Sequence, residues 1–378
     1  MSRREQTSRF SFLKTIIREY YKRRPLEEPP NLHKREVALE SLEDGVYIRH
    51  LAFPYIEQLY SYILSIKTPL HLYYSSALYA NPSAQLMEEK SWEGSELLFD
   101  IDADKYSECV TKLYMCSDGI LLEESVDKCA DGSKPLEYVN VSWNCIVKAW
   151  RNVVTLIDVL RGELGFREMR VFFSGNRGFH VKVVDEKALL LSRDERRHIA
   201  GYVTCEDLRA DKMFPAIGDR VIFSTSEYGL RKRVLEEAIK RGVVVFKERT
   251  YGLRNVYVVS LRDLEAILKD TCINIDKAVT MDISRLSRFN YSLNMKAGMR
   301  VVNVDLNRDI NNASYEEFSP FTGSVKVKST VTGTLEALDK KLSLTRGEVI
   351  KLEAYLGVYL VVKNIALPVD ISDLGIKA

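Results

Sequence analysis

The spacing of hydrophobic residues along the chain predicts a mixture of helices and strands. Apolar residues recur at helical spacing in segments 10–24, 52–66, about 141–164, 187–201, 230–241 and 260–269. Shorter runs typical of strands lie at 70–79, 97–102, 169–173, 179–184, 299–305 and 325–332. A turn at 43–45 between two further strand-like runs favours a hairpin. Strands in two groups, with helices between and around them, predict an α/β or α+β fold.

Two acidic residues interrupt one of these strands. Asp100 and Asp102 lie two positions apart in Leu97-Leu98-Phe99-Asp100-Ile101-Asp102. Alternate side chains of a strand share a face, so both carboxylates point the same way, together with Leu98. Burying carboxylates beside a core is costly unless a cation or a hydrogen-bond donor faces them. The pattern favours a platform for divalent metal ions, and the alternative is a strand end with two solvated acids.

A glycine-containing turn joins two of the other apolar strands. Its sequence is Ser174-Gly175-Asn176-Arg177-Gly178-Phe179-His180-Val181. The glycines permit a tight turn and a close approach of backbone N–H groups to an anion. Ser174 offers a hydroxyl, Arg177 a planar fork for phosphate oxygens and His180 a further donor. A phosphate-binding turn is one interpretation, and an ordinary hairpin with exposed charges is the other.

Bulk composition excludes some classes of protein and leaves others open. Of the 378 residues, 46% are hydrophobic and 29% are charged, which is typical of a globular protein with one large domain or two or three smaller ones. The net charge of +2 argues neither for nor against nucleic-acid binding, because local patches matter more than the sum. No apolar run approaches about 18 residues, so no membrane span is predicted. Residues 1–10 contain no apolar signal core, which predicts an intracellular protein.

Six cysteines in an intracellular protein favour thiols or metal ligands over a disulfide framework. Four of them, Cys109, Cys116, Cys129 and Cys145, belong to a polar, loop-like segment at 105–140 and to the start of the helix that follows it. Their spacings of 7, 13 and 16 are wider than the compact pattern of many zinc sites. Zinc ligands and unpaired thiols both remain open on spacing alone. Cys205 and Cys272 lie elsewhere and are predicted to be core thiols.

Three motifs, taken together, resemble one enzyme family. The first two are Phe-Asp-Ile-Asp at 99–102, preceded by Trp92-Glu93-Gly94, and the turn at 174–181. The third runs from Val279 to Arg288 and continues as Ser292 to Gly298. In this order they resemble the catalytic (small) subunit of archaeal and eukaryotic DNA primases, over roughly residues 30–305. The chain departs from the family pattern at Asn294, where relatives usually have His, and at Asn290, where they usually have Pro.

The resemblance implies a set of site residues. It implies that two divalent ions, Mg²⁺ or Mn²⁺, are held by Asp100, Asp102 and Asp282. It implies that a nucleoside triphosphate is bound by Ser174, Arg177, His180 and Lys296, with Arg35 as a further candidate. The family carries a small zinc motif after the paired acids, which implies a structural Zn²⁺ held by Cys109, Cys116, Cys129 and Cys145.

The same resemblance implies a domain organisation. A mixed-sheet primase core with surrounding helices is expected to comprise residues 1–201 and 276–378, with a zinc-binding insertion at about 105–145. Residues 202–275 are expected to form a smaller, mainly helical insertion outside the catalytic core.

The expected function is template-directed synthesis of short primers from nucleoside triphosphates by two-metal nucleotidyl transfer, at the start of DNA replication. Single-stranded DNA and a large primase subunit are the expected partners, no membrane is involved, and the expected location is the archaeal-like cytoplasm or nucleoid. Basic clusters at 22–24, 231–233 and 240–241 are candidates for template contacts or simply solvated helix faces. The alternatives are a stand-alone primase-polymerase or end-joining polymerase of the same superfamily, and a catalytically silent nucleic-acid-binding scaffold.

Overall fold

Helices and antiparallel strands alternate along the chain in a computed structural model that describes residues 3–206 and 209–377. The helices are α1 (Arg3–Lys22), α2 (Ile56–Ser65), α3 (Trp143–Gly162), α4 (Glu186–Leu189), α5 (Arg193–Thr204), α6 (Ala210–Met213), α7 (Gly229–Lys240), α8 (Leu261–Thr271), α9 (Lys277–Met281), α10 (Tyr315–Phe318) and α11 (Ala354–Val362). The strands up to residue 183 are β1 (Val37–Ser41), β2 (Tyr47–Leu51), β3 (Pro69–Ser75), β4 (Ala77–Tyr79), β5 (Trp92–Ser95), β6 (Leu97–Asp102), β7 (Thr111–Met115), β8 (Leu121–Leu122), β9 (Leu136–Asn140), β10 (Met169–Phe173) and β11 (Gly178–Val183).

The remaining strands follow residue 215. They are β12 (Ala216–Ile217), β13 (Arg220–Ser224), β14 (Val244–Thr250), β15 (Leu253–Ser260), β16 (Leu286–Arg288), β17 (Leu293–Asn294), β18 (Met299–Arg300), β19 (Val302–Asn303), β20 (Phe321–Ser329), β21 (Gly333–Ala337), β22 (Lys340–Leu344), β23 (Val349–Glu353), β24 (Ala366–Asp370) and β25 (Leu374–Ile376). This mixture of helices and sheets confirms the predicted α/β class. Within the described residues, no helix is long and apolar enough to cross a membrane.

Two four-stranded antiparallel sheets contribute to the main hydrophobic core. One, the acid sheet, has the strand order β19-β10-β11-β6 and contains the strand with the paired acids. The other, the tyrosine sheet, has the order β16-β3-β1-β2. Helix α3 packs its apolar side on β6 and β11 of the acid sheet, and its side chains from Ile146 to Leu160 are buried at helical spacing. One continuous hydrophobic core joins both sheets to α1 and α11.

Helix α11 is buried on all sides, which requires close packing. Its Gly357 lies against β20 so tightly that a Cβ atom there would come within 2.2 Å of Val325 Cγ1. The last carbonyl groups of α11 accept hydrogen bonds from α1, because Arg9 Nε donates to Val361 O at 3.0 Å and Arg9 Nη2 to Val362 O at 3.0 Å. Arg9 of α1 thus donates to carbonyl groups at the C-terminal end of α11, which have no hydrogen-bond partner within that helix.

The segment 202–275 contains a sheet as well as helices, so the prediction of a mainly helical insertion was wrong on this point. Strands β12, β13, β15 and β14 form an antiparallel sheet against α7 and α8. A second hydrophobic core, separate from the first, draws all its buried members from residues 214–267. The strands were missed because β14 is largely exposed and rich in charge, so its sequence shows no clean alternation.

The cysteines form disulfides in place of the predicted thiols and zinc site. Cys109 bonds to Cys145, and Cys116 bonds to Cys129. The five-residue strand β7 lies between Cys109 and Cys116 and spans roughly 17 Å, so the two cysteines stand at opposite ends of a strand. All four sulfurs are used in the two disulfides, and no group of three metal-ligating side chains forms among the described residues. The segment predicted as a loop is a three-stranded sheet, β8-β7-β9. This geometry contradicts a four-cysteine zinc site.

A third disulfide corrects the prediction of two core thiols. Cys205 follows α5, Cys272 follows α8, and their bond closes a loop of 67 residues that contains the whole second core. Cross-links are uncommon inside most cells, although intracellular proteins of hyperthermophilic archaea are a recognised exception.

We expect the purified chain, denatured without reductant, to show close to zero titratable thiols and no stoichiometric zinc. Reduction should lower the free energy of unfolding by about 2–4 kcal/mol per bridge, because the unfolded chain regains conformational freedom. Thiol titration, metal analysis and denaturant unfolding with and without reductant measure the three quantities. The paired variant Cys116→Ser with Cys129→Ser is the control, since it should leave the other two bridges intact. Four free thiols with one bound zinc per chain would contradict the disulfides.

Candidate active site

A cavity of about 250 Å³ lies where the acid sheet meets the tyrosine sheet. Residues far apart in the sequence converge on it, from β3, from β6, from the β10–β11 turn and from the segment after α9. The lining consists of Tyr73, Leu98, Phe99, Asp100, Asp102, Ser174, Asn176, Arg177, His180, Val279, Arg285, Leu286, Ser287, Arg288, Asn294 and Lys296. The structure thus brings six of the sequence-predicted site residues together: Asp100, Asp102, Ser174, Arg177, His180 and Lys296.

The register between β6 and β11 sets the geometry of the acids. Asp100 is paired with His180, and Asp102 is paired with Gly178. The His180 Nε2 atom lies 3.5 Å from Asp100 Oδ1. A side chain at 178 is excluded, because a Cβ there would come within 2.4 Å of Asp102 Oδ1 and 2.3 Å of Ile101 O. The glycine of the turn is therefore required by the acidic strand beside it.

The cavity is electrostatically unsatisfied at its acidic end. Burial and the neighbouring charge of Asp276 raise the pKa of Asp100 to about 6. Burial and the charge of Asp100 raise the pKa of Asp102 to about 6. Within the described structure, Asp100 Oδ1 is buried without a hydrogen-bond partner. His180 does not offset these charges, since burial and the nearby Arg288 lower its pKa to about 3 and keep the ring neutral.

These acids fit a divalent ion. A buried, unpartnered carboxylate oxygen and two raised carboxyl pKa values are what a bound cation would relieve. In the described part of the chain, no three His, Cys, Asp or Glu side chains assemble into a ready-made metal site. Mg²⁺ commonly needs only one or two carboxylates, with water and substrate phosphates completing its shell. The donor set is thus suited to an ion that arrives with a phosphorylated substrate.

The turn between β10 and β11 presents one arginine to the cavity. Arg177 forms an ion pair with Asp104 at 3.1 Å, while its Nε atom is buried without a partner in the described structure. Ser174 holds the turn closed, because its backbone N–H donates to Gly178 O at 2.8 Å and its hydroxyl accepts from Gly178 N at 3.3 Å. The turn is therefore fixed before any ligand is bound.

Sequence reasoning assigned no role to several cationic residues at this site. Arg285 and Arg288 line the cavity beside β16. Both belong to the third sequence motif, in which they are three positions apart, but the sequence analysis gave them no role. Behind Arg177 lies Lys363, at the end of α11, in a narrow cleft shared with Asn176. Burial, together with the charges of Arg177 and Lys296, lowers the pKa of Lys363 to about 8. Nothing in the local sequence around Lys363 indicated this position.

Asn294, where the family pattern has His, connects two parts of the site. Its Nδ2 donates to Ser174 O at 2.9 Å, and its Oδ1 accepts from Lys296 N at 3.2 Å. The amide thus joins the turn between β10 and β11 to the loop that carries Lys296. Asn290 lies outside the cavity and donates to Glu27 Oε2 at 2.8 Å.

The cavity lining does not include Arg35 or Asp282. Arg35 is buried elsewhere, where it forms an ion pair with Glu96 at 2.6 Å and donates to the carbonyl oxygens of Pro30, Ser75 and Ser76. These contacts stabilise the fold. The carboxylate of Asp282 accepts from Ser284 N at 2.9 Å and from Ser284 Oγ at 2.7 Å.

Asp276 is a further acid that acts on the pair, because its charge contributes to the raised pKa of Asp100. Its backbone N–H donates to Asp100 O at 2.9 Å, which ties the start of α9 to β6. Its carboxylate caps α9 by accepting from the backbone N–H groups of Ala278 and Val279. The sequence signal was available, since Asp276 lies six positions before Asp282 at the edge of the third motif.

Comparison with known proteins gives consistent matches. The family model for the DNA primase small subunit matches residues 99–306. A protein of Staphylothermus marinus named "DNA primase small subunit PriS" is 43% identical, with all of both chains covered. Proteins of the same name from Sulfurisphaera tokodaii and Sulfolobus acidocaldarius are 34% and 35% identical, and the matches cover 93% and 92% of this chain and 95% and 92% of theirs.

The burial of the paired acids and the repulsion between them predict a stabilising substitution. Without divalent ions we expect Asp102→Asn to melt about 1–3 °C above the unaltered chain, since it removes a buried charge and its repulsion by Asp100, an effect of order 1–2 kcal/mol. Mn²⁺ should raise the melting temperature of the unaltered chain and leave that of the variant nearly unchanged. Thermal unfolding in EDTA and in increasing Mn²⁺ measures both effects, with the exposed Asp194→Asn as control. Equal stabilisation of Asp102→Asn by Mn²⁺ would show that the pair does not bind the ion.

Proposed function

The chain belongs to the DNA primase small-subunit family, and on that premise we propose how its cavity carries out nucleotidyl transfer. The family makes the protein a primase catalytic subunit, a nucleotidyltransferase in general terms. The proposed reaction joins the 3′-hydroxyl of one nucleotide to the α-phosphate of a nucleoside triphosphate, and pyrophosphate leaves. One observation carries the proposal: buried paired acids and a phosphate-type turn face the same cavity.

Asp100 and Asp102 would hold Mg²⁺ or Mn²⁺. When bound, the ions would lower the pKa of the attacking hydroxyl and neutralise charge on the leaving pyrophosphate. The two acids are held at a fixed separation by β6, and its pairing with β11 prevents them from moving apart. Enzymes of this kind supply mainly positioning and electrostatic stabilisation, for which a rigid strand is well suited.

The turn between β10 and β11 and the residues around it would bind the triphosphate. Arg177, with its partly unsatisfied guanidinium, would contact phosphate oxygens, and Ser174 and the neutral His180 would act as hydrogen-bond donors. Lys296 and Lys363 would add positive charge beside Arg177. Because these three cations lie close together with Asp104 as the one acid paired to Arg177 in the described structure, a polyanion would relieve their mutual repulsion.

The partners follow from the same family membership. A small subunit implies a large subunit, and primer synthesis implies a single-stranded DNA template, so the protein would act where DNA is replicated inside the cell. Relatives that match end to end and share one name favour a primase subunit over an end-joining polymerase. The finer activity, an RNA or DNA polymerase directed by DNA, is part of the proposal.

The direct test is de novo primer synthesis on single-stranded DNA with Mg²⁺ or Mn²⁺ and each type of nucleotide. We expect products from the unaltered chain and a loss of at least about a thousandfold for Asp102→Asn, because one ligand charge is removed. Radiolabelled products on a gel give the rate, and circular dichroism checks the fold. Near-normal synthesis by Asp102→Asn would overturn the metal assignment.

The same assay separates the two candidates for the third acid. Asp276→Asn keeps a side chain that caps α9, since Asn and Asp cap helices about equally well, and removes only the charge. We expect this variant to lose at least about tenfold in primer synthesis and Asp282→Asn to lose less, because Asp276 is the acid electrostatically coupled to Asp100. A larger loss for Asp282→Asn would restore the assignment from sequence.

A further inference from the structure

We propose that the outward face of the tyrosine sheet binds the single-stranded DNA template, with Tyr47 and Tyr73 as a stacking platform for its bases. The proposal rests on the primase function and assigns that function a surface. The platform begins at the catalytic cavity, because Tyr73 and Arg288 belong to both. It continues across the sheet to the exposed Tyr47 on β2.

Strand register places these side chains on one face. Arg288 on β16 is paired with Tyr73 on β3, and Tyr73 with Ala38 on β1. One step along, Glu40 of β1 is paired with Tyr47 of β2. Paired residues of antiparallel strands share a face, so this row points outward, while the alternate positions of β1 and β3 enter the core.

The aromatic rings meet across the central strand. The ring centroids of Tyr47 and Tyr73 are 5.8 Å apart in an edge-to-face arrangement. Ala38, on the strand between them, is fully buried, and its small side chain leaves room for this contact. The guanidinium of Arg288 lies 4.9 Å from the centroid of the Tyr73 ring. Tyr47 keeps 46% of its surface exposed, so one large ring remains available to a ligand.

The charges around this face suit a phosphate backbone near the cavity. Arg285 and Arg288 lie at the cavity edge. Arg49, on the same strand as Tyr47, is paired at 2.9 Å with Glu36, which is itself buried. Within the described strands of this sheet the acid is the partly exposed Glu40, 3.9 Å from His71, and Glu36 lies one residue before β1. Burial and the nearby Arg288 lower the pKa of His71 to about 2, so that ring is neutral.

Single-stranded DNA is the occupant that this combination fits. Bases stack on exposed aromatic rings regardless of sequence, and arginines beside the rings contact the backbone. A template base must also reach the cavity where the incoming nucleotide is bound, and this face leads there directly. The basic cluster at 231–233 suits the role less well, since Arg231 is paired with Glu227 at 2.7 Å and Arg233 with Glu163 at 2.8 Å.

The test is the affinity of the full chain for fluorescein-labelled oligothymidylate, measured by anisotropy without nucleotide or divalent ion. We expect Tyr47→Ala to weaken binding at least about fivefold, the loss of one stacked base, and Tyr47→Phe to bind within about twofold of the unaltered chain. Tyr228→Ala is the matched control, because Tyr228 is 82% exposed but lies on the insertion. In primer synthesis, Tyr47→Ala should raise the template concentration needed for half-maximal rate and leave the KM for nucleotide unchanged.

Each outcome supports or overturns a defined statement. Equal DNA affinity of Tyr47→Ala and the unaltered chain, with primer synthesis intact, overturns the platform and leaves the primase function standing. A raised nucleotide KM with unchanged DNA affinity overturns it too, and places Tyr47 in the nucleotide site. An equal loss of DNA affinity in Tyr47→Phe and Tyr47→Ala overturns the stacking platform, because the hydroxyl of Tyr47 and not its ring would then contact the DNA. An unaltered chain that neither binds DNA nor makes primers overturns the proposed function itself.

Discussion

Two carboxylates held side by side on a buried strand repel each other, and this repulsion organises the cavity around them. Neither Asp100 nor Asp102 can move away, because β6 is paired along its length with β11 and is covered by α3. The protein places a neutral histidine beside the acids, and the pKa of both carboxyls stays raised although Arg177, Arg285 and Arg288 line the same cavity. A cation bound at this site, as proposed, would stabilise the fold, so the acids would lower stability locally in return for function.

The pairing of β6 with β11 links the acids to the turn between β10 and β11. The turn connects the end of β10 to the start of β11. Its distance from the acids is therefore set by strand register and not by a flexible loop. Because Gly178 has no side chain, β11 can lie close to Asp102, which occupies the space that any larger residue would need. The second sheet closes the cavity through β16, whose arginines reach the site only after the chain has passed through the insertion. The site thus depends on two sheets whose strands come from distant parts of the sequence.

The spacing of hydrophobic residues correctly predicted the helices and strands that bury one face in the core. Long amphipathic helices such as α1 and α3, and the apolar strands β6, β10 and β11, were predicted from spacing because burial of one face imposes a strict period. The strands of the cysteine segment and of the insertion were missed, because they are short or half-exposed and owe their conformation to pairing partners. Among the site residues, the roles of Asp276, Arg288 and Lys363 depend on neighbours in the folded structure, which sequence spacing does not reveal. The cysteines show the same limit, because their spacing did not predict that β7 would separate Cys109 from Cys116.

The contact between α1 and α11 has a consequence for the order of events during synthesis. Arg9 and its acceptor Val361 are separated by 352 residues, so the capping contact must wait until those residues have been made. At about 5–20 residues per second, that wait is roughly 18–70 s. During this time the amphipathic face of α1 lacks α11 as a partner, whereas the insertion can close its own core from contacts within 67 residues. Nascent chains would therefore carry a folded insertion while the main hydrophobic core still lacks α11.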